Sequence, residues 1–123
     1  RKAHMAKEEG AASMEIWGSG KPKREFLYVD DVADAMVFLM KNYSDALQLN
    51  IGCGKDMSIR ELAEMVAKVV GFEGELVFDT SKPDGTPRKL LDTTKLGALG
   101  WAPTMAFEDG LKNSYAWFLE NIT

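Results

Sequence analysis

Hydrophobic residues recur every three or four positions in three long stretches of the chain, which are residues 32–43, 59–70 and 107–121. This spacing is typical of helices that bury one face. Ser58 and Glu61 form a capping-box pattern at the start of the second stretch, and Gly71 follows its end. The pattern therefore predicts three amphipathic helices.

Short apolar runs lie between these stretches and favour β-strands, because they are rich in β-branched and aromatic residues and are bounded by Gly, Pro or Asp. The predicted strands are residues 14–17, 25–29, 46–51 and 75–78. A short helix is predicted at 94–99, and residues 1–9 resemble the end of a helix that begins earlier. The alternation of strands and helices predicts an α/β fold with a small mixed sheet and about four helices.

Residues 83–92 place two cations directly after a stiff turn. Pro83 and Pro87 fix the backbone, the pair Asp84-Gly85 is typical of a tight turn, and Arg88 and Lys89 follow. An Arg fork beside a Lys point charge suits a diphosphate. A surface hairpin with two solvated cations explains the same residues, so this segment alone leaves both readings open.

Composition excludes several classes of function. The chain has 123 residues with 46% hydrophobic content, a net charge of -4 and a pI of about 5.0, and it offers no basic face for nucleic acid. The single cysteine, Cys53, cannot form an internal disulfide, and no apolar run reaches the length of a membrane span. We expect a cytoplasmic protein that binds neither nucleic acid nor membrane.

Several segments resemble one enzyme family. They include Trp-Gly-Ser-Gly at residues 17–20, Arg-Glu-Phe-Leu-Tyr-Val-Asp-Asp at 24–31, Pro-Asp-Gly-Thr-Pro-Arg-Lys-Leu-Leu-Asp at 83–92 and Leu-Gly-Trp at 99–101. Through them the whole chain resembles the carboxy-terminal half of the GDP-L-fucose synthases, which are extended short-chain dehydrogenases/reductases. The first and third motifs are the ones specific to fucose synthases. The resemblance implies the substrate-binding part of such an enzyme, without its Rossmann amino-terminal half.

The resemblance also implies where the chemistry lies. The family binds NADP(H) on its amino-terminal domain and converts GDP-4-keto-6-deoxy-mannose to GDP-L-fucose by epimerisation at C3 and C5 and reduction at C4. Its catalytic Ser, Tyr, Lys, Cys and His precede Arg1, and no Gly-x-Gly-x-x-Gly fingerprint follows a strand here. We therefore expect no catalytic residue and no cofactor or metal site in this chain, and no activity from the chain alone.

Substrate-binding residues transfer position by position from the family. The resemblance implies that Lys2, Trp17, Arg24 and Lys89 contact the GDP-sugar, with Asp84 and Arg88 as adjacent candidates. Each also has an ordinary explanation: Trp17 could be a half-buried core residue, Arg24 half of an exposed ion pair, and Lys2 a solvated helical residue. The cluster Asp30, Asp31 and Asp34 is explained by capping at a helix start rather than by a metal.

The family architecture implies an incomplete packing surface. Residues 30–52 are expected to pack on the missing Rossmann domain, so the isolated chain should self-associate, whereas the full-length family is homodimeric. Two alternatives to a fucose synthase are kept. One is part of another nucleotide-sugar epimerase or dehydratase, and the other is a stand-alone nucleotide-binding module.

Overall fold

The computed structural model describes residues 1–122 and contains five helices and five strands within them. In chain order these are α1 (Lys2–Glu8), β1 (Ser13–Trp17), β2 (Lys23–Glu25), α2 (Val29–Asn42), β3 (Asp56–Ser58), α3 (Ile59–Val70), β4 (Glu75–Asp79), β5 (Arg88–Lys89), α4 (Thr94–Ala98) and α5 (Phe107–Asn121). The predicted α/β class is confirmed, with one helix more than the four expected.

The strands form two sheets rather than one. In the first, here called the parallel pair, β1 runs parallel to β4 with Ser13 opposite Glu75 and Trp17 opposite Asp79. In the second, the three-stranded sheet, the order is β3-β2-β5. Its central strand is antiparallel to β3 and parallel to β5, so the pairing is mixed as predicted.

Two apolar clusters form the core. The first lies between α1, α3 and the parallel pair, and its buried members are Ala3, Met14, Ala67, Val70 and Phe72. The second joins α2 to α4 and to the segment after α4, through Ala35, Leu96 and Trp101. The first cluster holds α1 and α3 against the parallel pair, and the second holds α2 against α4 and the segment after it. Neither cluster contains a residue of the three-stranded sheet.

The helix α3 confirms its sequence signals. The Ser58 hydroxyl accepts a hydrogen bond from the Glu61 backbone N–H at 3.1 Å, and a Glu61 carboxylate oxygen accepts from the Ser58 N–H at 2.7 Å. Gly71 ends the helix in the left-handed conformation with φ of 77°. Only glycine adopts that conformation without strain, so the stop predicted from the sequence is a backbone requirement.

Two predicted strands are wrong. Residues 46–51 form no strand, and within residues 1–122 they pair with no neighbouring strand; Leu49 and Ile51 instead pack against the second cluster. The strand predicted at 25–29 is displaced, because pairing ends at Glu25 and α2 already begins at Val29. A strand is defined by its hydrogen-bonded partner, which an apolar run alone does not specify.

The aspartates at the start of α2 do not cap it. The N-cap is Tyr28, with no side-chain hydrogen bond. The buried Asp31 carboxylate accepts from the Thr104 N–H and hydroxyl and the Met105 N–H, and Asp34 accepts from the Trp101 indole at 2.8 Å. Burial raises the pKa of Asp31, but these hydrogen bonds outweigh it and hold the pKa below its ordinary value. The cluster therefore ties α2 to the segment before α5.

Candidate functional site

Arg24 and Lys89 lie side by side on the three-stranded sheet. They are register partners on the parallel strands β2 and β5, so both side chains project from the same face. They line a cavity of about 510 Å³ together with the apolar residues Leu27, Ile51, Leu90 and Leu91. Two like charges beside an apolar wall repel each other unless an anion lies between them. This arrangement can bind a phosphate group.

Backbone contacts fix the direction of Arg24. One guanidinium nitrogen, Nη1, donates to the Lys23 carbonyl at 2.6 Å and to the Thr86 carbonyl at 2.7 Å. A Cβ atom added to Gly85 would lie 3.1 Å from the other nitrogen, Nη2, so glycine leaves room for the guanidinium. Arg24 therefore anchors the segment 83–92 and keeps further N–H groups for a ligand.

Arg88 and Lys89 have different environments. As neighbours in a strand they point to opposite faces, and Arg88 forms an ion pair with Asp56 of β3. The hydrogen bond from Arg88 holds the pKa of Asp56 below its ordinary value. Within residues 1–122 the Lys89 ammonium has no ion pair or hydrogen bond. The structure thus leaves Lys89 available and commits Arg88 to a neighbouring strand.

Trp17 is exposed at the end of β1, with 69% of its surface accessible. Its indole N–H donates to the Glu15 carboxylate at 3.0 Å, and the Lys82 ammonium lies 5.7 Å from the ring centroid. The half-buried core position that the sequence alone favours is therefore wrong. A flat ring open to solvent can stack on a base or a sugar.

Asp84 connects the loop after Trp17 to the segment that carries Lys89. Its carboxylate accepts from the Ser19 N–H at 2.8 Å and from the Ser19 hydroxyl at 2.6 Å. These two hydrogen bonds hold the pKa of Asp84 below its ordinary value. A Cβ added to Gly18 would lie 2.5 Å from this carboxylate, so the close approach requires glycine. Asp84 thus joins the end of β1 to the approach of β5.

Lys2 lies on α1, and its ammonium donates to the Glu15 carbonyl. It lines a second cavity, of about 570 Å³, with Met5, Met14 and Glu15. The six residues expected from the sequence therefore fall into groups: Lys2 and Trp17 meet at Glu15, Arg24 and Lys89 share the first cavity, Asp84 joins two loops, and Arg88 lies on the far face.

Sequence reasoning missed Glu25 as a residue of this cavity. Its carboxylate accepts hydrogen bonds from the Gly54 and Leu91 backbone N–H groups. No sequence signal identifies such a bond, because it depends on which loops meet at the end of β2.

The described part of the chain gives no sign of a metal centre or a membrane segment. Among residues 1–122, no three His, Cys, Asp or Glu side chains group closely enough to hold a metal ion. Over the same residues, no helix combines the length and apolarity that crossing a bilayer requires.

Comparison with known proteins identifies relatives of the whole chain. Residues 1–52 match the NAD dependent epimerase/dehydratase family. The chain is 55% identical over 99% of its length to GDP-L-fucose synthase 1 of Arabidopsis thaliana and 50% identical over 98% to GDP-L-fucose synthase of Escherichia coli. It spans only 38% and 40% of those two proteins.

A solved structure gives the same result for the fold. A GDP-L-fucose synthetase from Naegleria fowleri bound to NADP matches 98% of this chain with a TM-score of 0.92 and 33% identity. The chain covers 38% of that protein. These matches show that the whole chain is similar to part of the GDP-L-fucose synthases, and that residues 1–52 are similar to the NAD dependent epimerase/dehydratase family.

Proposed function

We propose that this chain is the GDP-sugar-binding part of a GDP-L-fucose synthase. The observation that carries the proposal is the adjacent pair Arg24 and Lys89 at the mouth of an apolar cavity. The diphosphate of a GDP-sugar would lie against the two cations, which relieves their mutual repulsion. Trp17, with its exposed ring, and Lys2 would contact other parts of the ligand, and Asp84 would hold the two loops together.

The reaction proposed for the whole enzyme is the conversion of GDP-4-keto-6-deoxy-mannose to GDP-L-fucose. Two epimerisations, at C3 and C5, each exchange one proton. NADPH would supply the hydride for the C4 ketone, and a proton completes the hydroxyl. The sequence of this chain contains no Gly-rich phosphate-binding loop that would hold NADP(H). The cofactor and the catalytic groups would therefore belong to the rest of the enzyme. A cytoplasmic homodimer is proposed for that enzyme.

The residues of this chain would bind and orient the substrate. Holding the diphosphate at Arg24 and Lys89 fixes one end of the GDP-sugar, so the sugar ring can be presented to catalytic groups supplied from elsewhere. The site thereby contributes to positioning, and no proton transfer is assigned to it.

Titration calorimetry with GDP tests the proposal. Lys89→Ala and Arg24→Ala each remove a charged hydrogen bond worth about 1.5 to 3 kcal/mol, so each should weaken GDP binding roughly 10- to 150-fold. Arg88→Ala should weaken it less, because that guanidinium is held by Asp56. Lys95→Ala, which removes an exposed cation on α4, is the matched control and should leave the affinity unchanged.

Unchanged GDP affinity in both Lys89→Ala and Arg24→Ala would contradict the proposed site. Titration with UDP distinguishes a GDP-sugar site from the site of another nucleotide-sugar enzyme. GDP and UDP carry the same diphosphate and differ only in the base. Equal affinity for GDP and UDP would favour that alternative.

We further propose that α2 packs on the rest of the longer enzyme. One side of the helix is covered, since Ala35 has no accessible surface. The other side exposes Met36 at 56%, Val37 at 48% and Met40 at 85%. An apolar face of this kind drives association in an isolated domain. Residues 30–52 would therefore belong to the interface with the cofactor domain.

Sedimentation velocity of the 123-residue chain measures this association. We expect a sedimentation coefficient that rises with concentration, and a smaller rise in Met40→Lys because a charge on the face opposes burial. Glu64→Gln on α3 changes the net charge by the same single unit at an exposed position and is the control. A monodisperse monomer of the unmodified chain at all concentrations would count against the proposal.

A further inference from the structure

The carboxylate of Glu25 bridges two loops at the edge of the Arg24 and Lys89 cavity. Its Oε1 accepts from the Gly54 N–H at 2.6 Å, and its Oε2 accepts from the Leu91 N–H at 3.0 Å. Gly54 belongs to the loop after Ile51, and Leu91 lies two positions beyond Lys89. One side chain thus holds two walls of the cavity.

The bridge begins where strand pairing stops. The register of β2 with β5 ends at Arg24 opposite Lys89. Beyond that point the Glu25 side chain replaces the missing ladder contact by accepting from the chain just after β5. Space around it is limited, because a Cβ added to Gly52 would lie 2.4 Å from Oε1. The carboxylate is therefore packed between the loop and the exit of β5.

Electrostatics alone does not explain a carboxylate at this place. A negative charge beside an anion site weakens anion binding. Here both carboxylate oxygens are directed to backbone N–H donors, and charge-assisted hydrogen bonds of this type are among the stronger ones. The contribution of Glu25 is thus mechanical, and it offsets an unfavourable charge.

We propose that Glu25 is a positioning residue that holds Lys89 beside Arg24 by clamping the Gly54 loop to the chain after β5. The inference rests on the proposed diphosphate site. It assigns no contact between Glu25 and the ligand. The side chain acts through the backbone of Leu91, which fixes the direction of the strand that carries Lys89.

Two substitutions separate a clamp from a charge effect because the two predict opposite results. Glu25→Gln keeps the size and removes the negative charge, yet its amide NH2 faces one of the two N–H donors. A clamp predicts that GDP binding weakens about tenfold, the loss of one charged hydrogen bond, whereas a pure charge effect predicts tighter binding. Glu25→Asp keeps the charge but is one methylene too short to reach both donors, so a clamp predicts weaker binding here too.

The experiment combines GDP calorimetry with ¹⁵N NMR spectra of the same chain. The Gly54 and Leu91 amide signals should shift in both Glu25 variants, while amides of β1 and β4 stay in place. Glu64→Gln, the same substitution at an exposed position on α3, is the control and should change neither the affinity nor these signals. Circular dichroism at the titration temperature establishes that each variant is folded.

The outcomes distinguish this inference from the proposed function. If the unmodified chain binds GDP, Lys89→Ala weakens it and Glu25→Gln binds as tightly as Glu64→Gln or more tightly, the clamp is wrong and the diphosphate site stands. If the unmodified chain binds no GDP, both fail. Weaker binding in Glu25→Gln and Glu25→Asp, with shifted Gly54 and Leu91 amides, supports the clamp.

Discussion

The parallel pair and the three-stranded sheet are held together by different forces. The parallel pair has five register positions and lies against a buried cluster that includes Met14 and Phe72. The three-stranded sheet has three positions between β2 and β3 and two between β2 and β5, and none of its residues is buried. Apolar burial stabilises the first region, and the second depends on polar contacts.

Those polar contacts come from residues in the proposed site and from residues beside it. Arg88 joins β5 to Asp56 of β3, Arg24 binds the Thr86 carbonyl, and Glu25 binds the Leu91 backbone. Because few apolar contacts hold this sheet, its local opening costs less free energy than opening of the parallel pair. A site built this way can adjust to a ligand without disturbing the core, which is common where binding segments lie on a more rigid scaffold.

The largest effect is expected from removing a core side chain next to the parallel pair. It should lower the stability of the chain without changing the site on the three-stranded sheet. Phe72 is only 7% accessible, so Phe72→Ala should lower the free energy of unfolding by about 3 to 5 kcal/mol. The half-buried Phe118 provides the matched substitution, and Phe118→Ala should cost less. Urea unfolding followed by circular dichroism measures both. GDP affinity of folded Phe72→Ala protein should equal that of the unmodified chain.

Phe72→Ala could instead reduce the favourable free energy of GDP binding by as much as it lowers the free energy of unfolding. The site would then depend on the core cluster, and the two regions would not be independent. Affinity must be measured where the variant is still folded, since unfolded protein reduces apparent binding by mass action. Low temperature and the absence of denaturant provide that condition.

Local sequence signals predicted the elements that local interactions determine. The helix α3 carries its own capping box and its own glycine stop, so its limits follow from neighbouring residues. Residues 46–51 have the composition of a strand but pack through Leu49 and Ile51 onto a helical cluster instead. Pairing is a property of two segments, and nothing within 46–51 states whether a second strand lies beside it.

The site also combines features that the sequence predicts with features that depend on distant segments meeting in the fold. The family resemblance of the sequence identifies Arg24 and Lys89 as candidate substrate-binding residues. That the two lie side by side follows only from the register between β2 and β5. The separate environments of Arg88 and Lys89 follow from strand alternation and from Asp56, which comes from a distant part of the chain. Asp31 and Asp34 were expected to cap a helix, and they bind Thr104 and Trp101 because the fold carries those residues to them.

A smaller effect is expected from the contact that links the two regions, Asp84 with Ser19. The loop containing Ser19 follows β1 of the parallel pair, and Asp84 precedes β5 of the three-stranded sheet. Asp84→Asn should lower the urea midpoint slightly and weaken GDP binding, because the loops are no longer held by an ionised acceptor. Asp30→Asn, at an exposed carboxylate on α2, is the control.

The pH dependence of the difference in urea midpoint between the unmodified chain and Asp84→Asn gives a sharper test. Hydrogen bonds from Ser19 hold the pKa of Asp84 below its ordinary value in the folded chain, so the unfolded chain binds the proton more readily. The stabilisation is therefore complete above the unfolded pKa of roughly 4, and it is lost as pH falls through the lower folded pKa. The urea midpoints of the unmodified chain and Asp84→Asn should differ at pH 6 and converge in stronger acid. A difference that persists at low pH would show that Asp84 connects the two regions by its shape and not by its charge.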